Sequence, residues 1–189
     1  QASEVSQGGG ISLSLTPVTP PYTVFVHIGI VTDTYRPRVN GVVTSIDTFT
    51  REFQKLGHRV TILAPAFSGA AAEPDIVRFP SHYLWFDPED RLPDPWLPAG
   101  RRIVRSLPEL RMDVLHTQTP FALGVAAFAW GRTLGVPVVH TFHTHFTSYV
   151  GHYIRFLPRS LSVPWARKLS RAYCDRCALV VTPSSQMRD

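Results

Sequence analysis

Cysteine is scarce in this sequence: 189 residues hold only Cys174 and Cys177. A single pair is too little for a disulfide scaffold. It forms a Cys-x-x-Cys near an expected helix end, with no second pair and no thioredoxin-like context. These cysteines are therefore expected to serve as small buried apolar groups, and the expected home of the chain is cytoplasmic. No run of about 20 apolar residues is present, which excludes a bilayer-spanning helix on sequence grounds. The first residues lack a basic segment followed by an apolar one, so no secretory signal is expected. The dinucleotide fingerprint Gly-x-Gly-x-x-Gly is missing. Charged residues are few, at 17%.

What is present is ample apolar material, 44% of the chain, enough for one sizeable core. The net charge of +5 is unevenly placed. Up to Tyr149 acidic and basic residues balance, and beyond it seven basic residues face only Asp175 and Asp189. Such local excess suits an anionic partner, such as a phosphate, a nucleic acid or a membrane surface, or simply a solvated helix face.

Residues 1–22 are rich in Ser, Gly, Thr and Pro and read as a flexible lead-in, with the ordered domain expected over 23–189. The apolar run from Thr23 to Val31 has the character of a strand buried on both faces. After a loop holding Pro37 and Gly41, the residues Val42, Val43, Ile46, Phe49, Phe53 and Leu56 recur at helical spacing, and Gly57 stands where that helix should end. His58 to Ala64 is the next strand, completing a βαβ unit. Further strands are expected at Asp75 to Phe79, Asp113 to His116, Val136 to His140 and Ala178 to Val181. Helices are expected over Ile103 to Leu110, with an interruption at Pro108, over Phe121 to Leu134, and within a basic region from Tyr149 to Arg176. The proline-dense stretch between Pro80 and Pro98, with Trp85, Phe86 and Trp96, forbids a long helix and indicates a structured surface excursion. Thr182 to Ser185 has the composition of a further helix start. The pattern is an α/β, Rossmann-like three-layer domain with a mostly parallel sheet.

In such sheets ligands sit beyond the carboxyl ends of the strands. The segments expected there are Asp33 to Gly41, His116 to Pro120 and Thr141 to Thr147, all polar. Gly41, opening a helix after the first strand, exposes backbone N–H groups at the positive helix end and suits a phosphate; an ordinary turn needing one glycine is the plainer alternative. His116, Gln118 and Thr119 can exchange hydrogen bonds with sugar hydroxyls, or with a neighbouring loop. The run His140-Thr141-Phe142-His143-Thr144-His145 raises metal ligation. Alternation along a strand would separate His140 from His143 and His145, and no nearby carboxylate completes a site, so polar contacts to a sugar or phosphate are expected and no metal.

Three ordered segments carry a family resemblance. They are Thr32-Asp33-Thr34-Tyr35-x-Pro-x-Val-Asn-Gly-Val-Val-Thr-Ser-Ile, Asp113 to Phe121 continuing x-Leu-Gly, and His140-Thr141-Phe142-His143-Thr144. Together they resemble the family 4 retaining glycosyltransferases of GT-B fold, most of all those that glucosylate diacylglycerol. The resemblance implies an acceptor-side half facing a C-terminal nucleotide-sugar domain that lies outside these 189 residues, which alone are then expected to have little or no activity. It implies a donor-phosphate loop at Asn40, Gly41 and Val42, and catalytic contacts from His116, His143 and Thr144. Acceptor contacts are implied at Asp33, Tyr35, Gln118, Thr119, His145 and Tyr149. Many relatives carry histidine where this chain has Gln118, which puts proton handling there in doubt. The chemistry implied retains the anomeric configuration, needs no metal or other cofactor, and lets the donor phosphate take the acceptor's proton, so no catalytic carboxylate pair is expected.

A lipid acceptor also suggests work for the basic region: Arg155, Phe156, Arg159, Trp165, Arg167 and Lys168 would meet an anionic membrane on the inner face of the plasma membrane. A core-packed helix with a charged outer face is the plainer alternative. Phosphatidylinositol, a small polyol or a polysaccharide remain alternative acceptors. A non-catalytic module for a phosphorylated ligand and a histidine-based metal hydrolase are readings from other classes. Nucleic acid is not expected, because the basic region lacks a recognised RNA-binding motif.

Overall fold

The structure, a computed structural model, describes residues 24–69, 73–84, 91–143 and 159–182, with only the backbone of 159–163. The expected lead-in at 1–22 lies outside these residues, as do Trp85, Phe86 and the stretch 183–185.

Six strands form one parallel sheet: β1 (His27–Val31), β2 (Arg59–Pro65), β3 (Ile76–Phe79), β6 (Val114–Thr117), β7 (Val138–Thr141) and β8 (Leu179–Val181). Their order is β3-β2-β1-β6-β7-β8, every neighbouring pair parallel. The order reverses direction between β1 and β6. The loops leaving these two strands therefore part to opposite sides, which opens a crevice at their carboxyl ends. The α/β, Rossmann-like expectation holds.

Helix α1 (Gly41–Lys55) covers one face of the sheet. Val43 and Ile46 are its buried contacts, packed with Ile28, Ile30, Val60 and Ile62. Gly57, at φ +85°, carries the chain out of the helix as its sequence position predicts. The other face carries α2 (Pro98–Ser106), followed by one 3-10 turn at Leu107–Leu110, and α3 (Ala122–Leu134). Leu115, Leu123, Ala127, Phe128, Trp130 and Val138 make its core. Helix α4 (Arg159–Cys174) joins this layer through Tyr173, whose ring meets Phe128 edge-on at 4.9 Å. The two clusters lie on opposite faces of the sheet, so the sheet is the interface both depend on.

Three expectations need correction. β1 begins at His27, not Thr23, because Val24 and Phe25 stand 62% and 71% exposed and have no sheet to cover them. The helix expected from Ile103 starts earlier, at Pro98, since proline at the first helical position has no N–H to lose. β7 stops at Thr141, so His143 lies beyond the strand and its placement does not follow from alternation. The proline-dense excursion contains a two-stranded antiparallel pair, β4 (Ser81–Tyr83) with β5 (Arg91–Pro93). Cys174 and Cys177 are free and only half-buried; burial nonetheless pushes the Cys177 thiol up to about 11, so it is protonated at neutral pH.

Candidate functional site at the sheet switch point

The loop after β1 is anchored before it can act. Asp33 is buried, and its backbone N–H donates to Thr119 Oγ1 at 2.7 Å while that hydroxyl donates back to Asp33 Oδ2 at 2.7 Å. The same carboxylate accepts from Leu123 N at 2.7 Å and Gly124 N at 3.4 Å. Asp33 thus caps α3 from far away in the chain and ties the β1 and β6 loops together. Burial pushes its pKa up to about 6, against these hydrogen bonds, which pull it down. Tyr35 is likewise engaged: its hydroxyl donates to Asp47 Oδ1 at 3.1 Å, and the Arg78 guanidinium lies 5.5 Å from its ring centre. Arg36 pairs with Asp47 at 2.7 Å, and Arg78 donates to the carbonyls of Arg36 and Pro65, both at 3.0 Å. Asp33, Tyr35 and Thr119 therefore build the loop with the side-chain oxygens expected to meet an acceptor.

Asn40 caps α1, its Oδ1 accepting from Val43 N at 3.0 Å and its Nδ2 donating to Thr34 Oγ1 at 3.4 Å. Gly41 is exposed, and a methyl group built on it would meet no described residue within 4 Å. Among the described residues the helix start is open ground.

The histidines divide by face. Neighbouring strand residues point to opposite sides of the sheet. His116, in β6, points toward α1, where Phe49 meets its ring edge-on at 5.4 Å. Its Nε2 is 2.7 Å from Thr141 Oγ1 of β7. Thr117 and His140 point to the other side. There His140 Nδ1–H donates to the Thr117 carbonyl at 3.0 Å, and its ring packs against Tyr173 at 4.9 Å. His140 is thus a core histidine facing α4, whereas His116 lines the α1 side. Burial lowers both to about 4, with a smaller push from neighbouring imidazoles, so both are neutral at physiological pH. His143, half-buried, bonds through Nε2 to Gln118 Oε1 at 2.6 Å, and burial lowers its pKa as well. The amide nitrogen of Gln118 is buried and has no hydrogen-bond partner among the described residues.

The structure thus brings His116, Gln118, Thr141 and His143 together on strand ends β6 and β7, beside the crevice. Thr144, His145, Tyr149, Arg155 and Phe156 lie outside the described residues, and Arg159 is described only as part of α4. Phe49, Asp47 and Arg78 were not singled out as site residues by sequence. Arg78 left one signal, a lone cation inside the short apolar strand Ile76 to Phe79. Among the described residues no three His, Cys, Asp or Glu side chains gather as metal ligands would. A groove of about 460 Å³ lies elsewhere, at the amino ends of β7 and β8 between Phe128, Val138 and Arg176. It contains none of the site residues.

Comparison with known proteins decides the family. The model of Glycosyltransferase Family 4 matches residues 39–189. The chain belongs to this family. An alpha-monoglucosyldiacylglycerol synthase of Streptococcus pneumoniae (strain ATCC BAA-255 / R6) is 34% identical, over 87% of this chain and 36% of its own length. One from Acholeplasma laidlawii is 30% identical over 87% of this chain and 42% of its own. A GDP-mannose-dependent alpha-mannosyltransferase of Corynebacterium glutamicum is 27% identical over 87% and 39%. Among solved structures, an alpha-glucosyltransferase in complex with UDP and a 13-mer DNA has a TM-score of 0.44 at 14% identity, covering 84% of this chain and 38% of that one. The chain spans about two fifths of the length of the curated relatives it matches.

Proposed function

We propose that this chain is the acceptor-side half of a retaining GT-B glycosyltransferase that moves a hexose from a nucleotide-sugar to a membrane lipid such as diacylglycerol. The observation that carries the reading is the pairing of two features at one crevice. One is the open start of α1 at Asn40, Gly41 and Val42. The other is the row of neutral hydrogen-bonding groups at His116, Gln118 and His143. The helix start suits the donor's diphosphate. The neutral row suits sugar hydroxyls, because an uncharged imidazole offers one donor and one acceptor. In the reaction the bond from the anomeric carbon to the phosphate oxygen breaks. A bond to the acceptor oxygen forms on the same face, and the acceptor's proton passes to the departing phosphate. No protein nucleophile is required, and transfer is expected to persist in chelator.

The lipid acceptor is supported by the two diacylglycerol-glucosylating relatives and by the outer face of α4. Trp165 and Leu169 are 52% and 46% exposed there, next to exposed Arg167, Lys168 and Arg171. An aromatic and aliphatic stripe flanked by cations suits an anionic bilayer surface. No described helix is long and apolar enough to cross a membrane, so contact from one side, at the inner face of the plasma membrane, is the corresponding arrangement. The test is sugar transfer by the full-length protein across a panel of nucleotide-sugars, with diacylglycerol, phosphatidylinositol and soluble polyols as acceptors. Transfer to diacylglycerol in vesicles is expected. Transfer to a polyol alone overturns the lipid acceptor, and no transfer from any donor, with binding of a phosphorylated ligand, leaves a non-catalytic module.

A further inference from the structure

We propose that Arg78 and Asp47 are positioning residues that hold the loop between β1 and α1 from opposite sides and so set the start of α1 for the donor's diphosphate. The inference rests on the transferase reading above for the identity of the ligand; the holding of the loop stands apart from it.

Arg78 is the one charged residue of β3, whose other members are Ile76, Val77 and Phe79. Alternation sets it on the face of Ile76, which packs with the α1 core, whereas Val77 and Phe79 pack on the other face. Its side chain is 16% exposed, and the carboxylate of Glu73 stands 3.7 Å away, beyond hydrogen-bond reach. A cation so enclosed is costly unless its N–H groups find acceptors. Two backbone carbonyls serve: Nη1 donates to Pro65 O, at the end of β2, and to Arg36 O, in the loop after β1, both at 3.0 Å. The same guanidinium lies 5.5 Å from the centre of the Tyr35 ring. The charge thus joins the exits of two strands instead of closing a tight ion pair.

Asp47 meets the same two loop residues from α1. Its Oδ1 accepts from the Tyr35 hydroxyl at 3.1 Å, and its Oδ2 from Arg36 Nη2 at 2.7 Å. Tyr35 and Arg36 are therefore each held twice, by a guanidinium on β3 and by a carboxylate on α1. Four residues beyond Arg36 stands Asn40, the cap of α1, and Gly41 follows as its first residue. Neither Arg78 nor Asp47 has to touch the donor. Fixing residues 35 and 36 fixes where the N–H groups of Gly41 and Val42 stand. A loop ordered in advance spares the donor the cost of ordering it, and that saving belongs to binding, not to the chemical step.

The experiment uses the full-length protein, with amide hydrogen exchange over residues 35–43 read beside steady-state kinetics. Arg78→Met keeps an apolar stem and removes every donor. Exchange over 35–43 is expected to quicken by about tenfold or more, while β1 and β6 keep their protection. Donor KM should rise roughly tenfold, as loss of a hydrogen bond from a charged group does, with kcat within about twofold. Asp47→Ala, at a side chain 31% exposed on α1, should show the same pattern more weakly. Arg78→Lys keeps the charge without the planar fork and should restore little. Unchanged exchange over 35–43 in a folded Arg78→Met overturns the proposal. If that variant fails to fold, unchanged exchange in Asp47→Ala overturns it equally. Quickened exchange with an unaltered donor KM overturns the link to the donor, as does a fall in kcat alone. A donor KM restored in Arg78→Lys while exchange stays fast makes Arg78 a direct charge contact and overturns its positioning role. Absence of sugar transfer by the parent is instead a failure of the transferase reading, and the exchange data still decide what holds the loop.

Discussion

Two helices begin at the carboxyl edge of the central strands, and they handle their positive ends in opposite ways. Neither has an acidic residue in its first turn. At α3 the lack is made good from outside: the buried carboxylate of Asp33 accepts from Leu123 N and Gly124 N. At α1 the cap is Asn40, a neutral amide, and no described residue fills the ground above Gly41. A carboxylate answers the partial charge of a helix start, whereas an amide satisfies a donor and leaves the field in place. The α3 start is therefore occupied by an internal anion, and the α1 start remains available to an external one. Adjacent loops of one sheet edge thus divide the work, one holding the crevice together and the other facing the ligand.

The sharpest way to break this contrast is at the two glycines. Gly124 sits in the first turn of α3, where a Cβ would collide with the Thr119 carbonyl oxygen and lie 3.0 Å from the Tyr173 hydroxyl. Because the obstruction is backbone, Gly124→Ala has no rotamer to escape by. It is expected to cost about 3 kcal/mol or more in urea denaturation, the upper range for overpacking. A cost under 1 kcal/mol would show that the Asp33–Thr119 link yields easily and is no clamp.

Asp33 itself comes next. Asp33→Ala leaves two helix N–H groups and a threonine hydroxyl without their acceptor, an expected loss of about 2 kcal/mol. Asp33→Asn keeps one acceptor and should lose roughly half of that. The two variants also differ from the parent in pH response. With a folded pKa of about 6 against 3.8, Asp33 contributes stability that is fully present below about pH 4 and is lost as pH rises through 6. His116 and His140, lowered to about 4 from 6.5, act the other way: their contribution is present above 6.5 and is lost as pH falls through 4. These two outweigh Asp33, and His143, lowered by burial as well, adds to them, so the parent should lose stability between pH 7 and 4, on the order of 3 to 4 kcal/mol. Asp33→Asn removes the opposing group, and its decline over the same window should be steeper. Parallel curves for the two proteins would mean that Asp33 keeps an ordinary pKa.

Much of this was legible in the sequence, and what was not has a common cause. Continuous apolar runs and helical spacing give the β1-α1-β2 unit and the parallel sheet, because burial on both faces writes itself into adjacent residues. The position of Gly41 at a helix start is also local. The engagement of Asp33 is not: its partners lie 86 to 91 residues away, and nothing beside it in the chain distinguishes a capping carboxylate from one awaiting a ligand. The histidine run shows the same limit. His140 and His143 look equivalent by composition, yet one is packed on Tyr173 and the other bonds to Gln118 across 25 positions of sequence. Proline at 98 reads as a barrier when taken alone and acts as a helix start once the preceding turn is in place.

The smallest expected change in stability is the one most informative about ligand binding. Gly41→Ala introduces a methyl group where no described residue lies within 4 Å, at the first residue of α1. Alanine favours helix over glycine by up to about 1 kcal/mol in a helix interior and by less at an end, so stability should be unchanged or slightly raised. The same methyl group would stand in the path of a diphosphate approaching the N–H groups of the first turn. Donor KM in the full-length protein should therefore rise, while the denaturation midpoint stays or improves. This is the opposite pairing to Gly124→Ala, where structure fails first. If Gly41→Ala leaves donor KM unaltered, the open start of α1 is a structural convenience, and the donor phosphates are held by other groups.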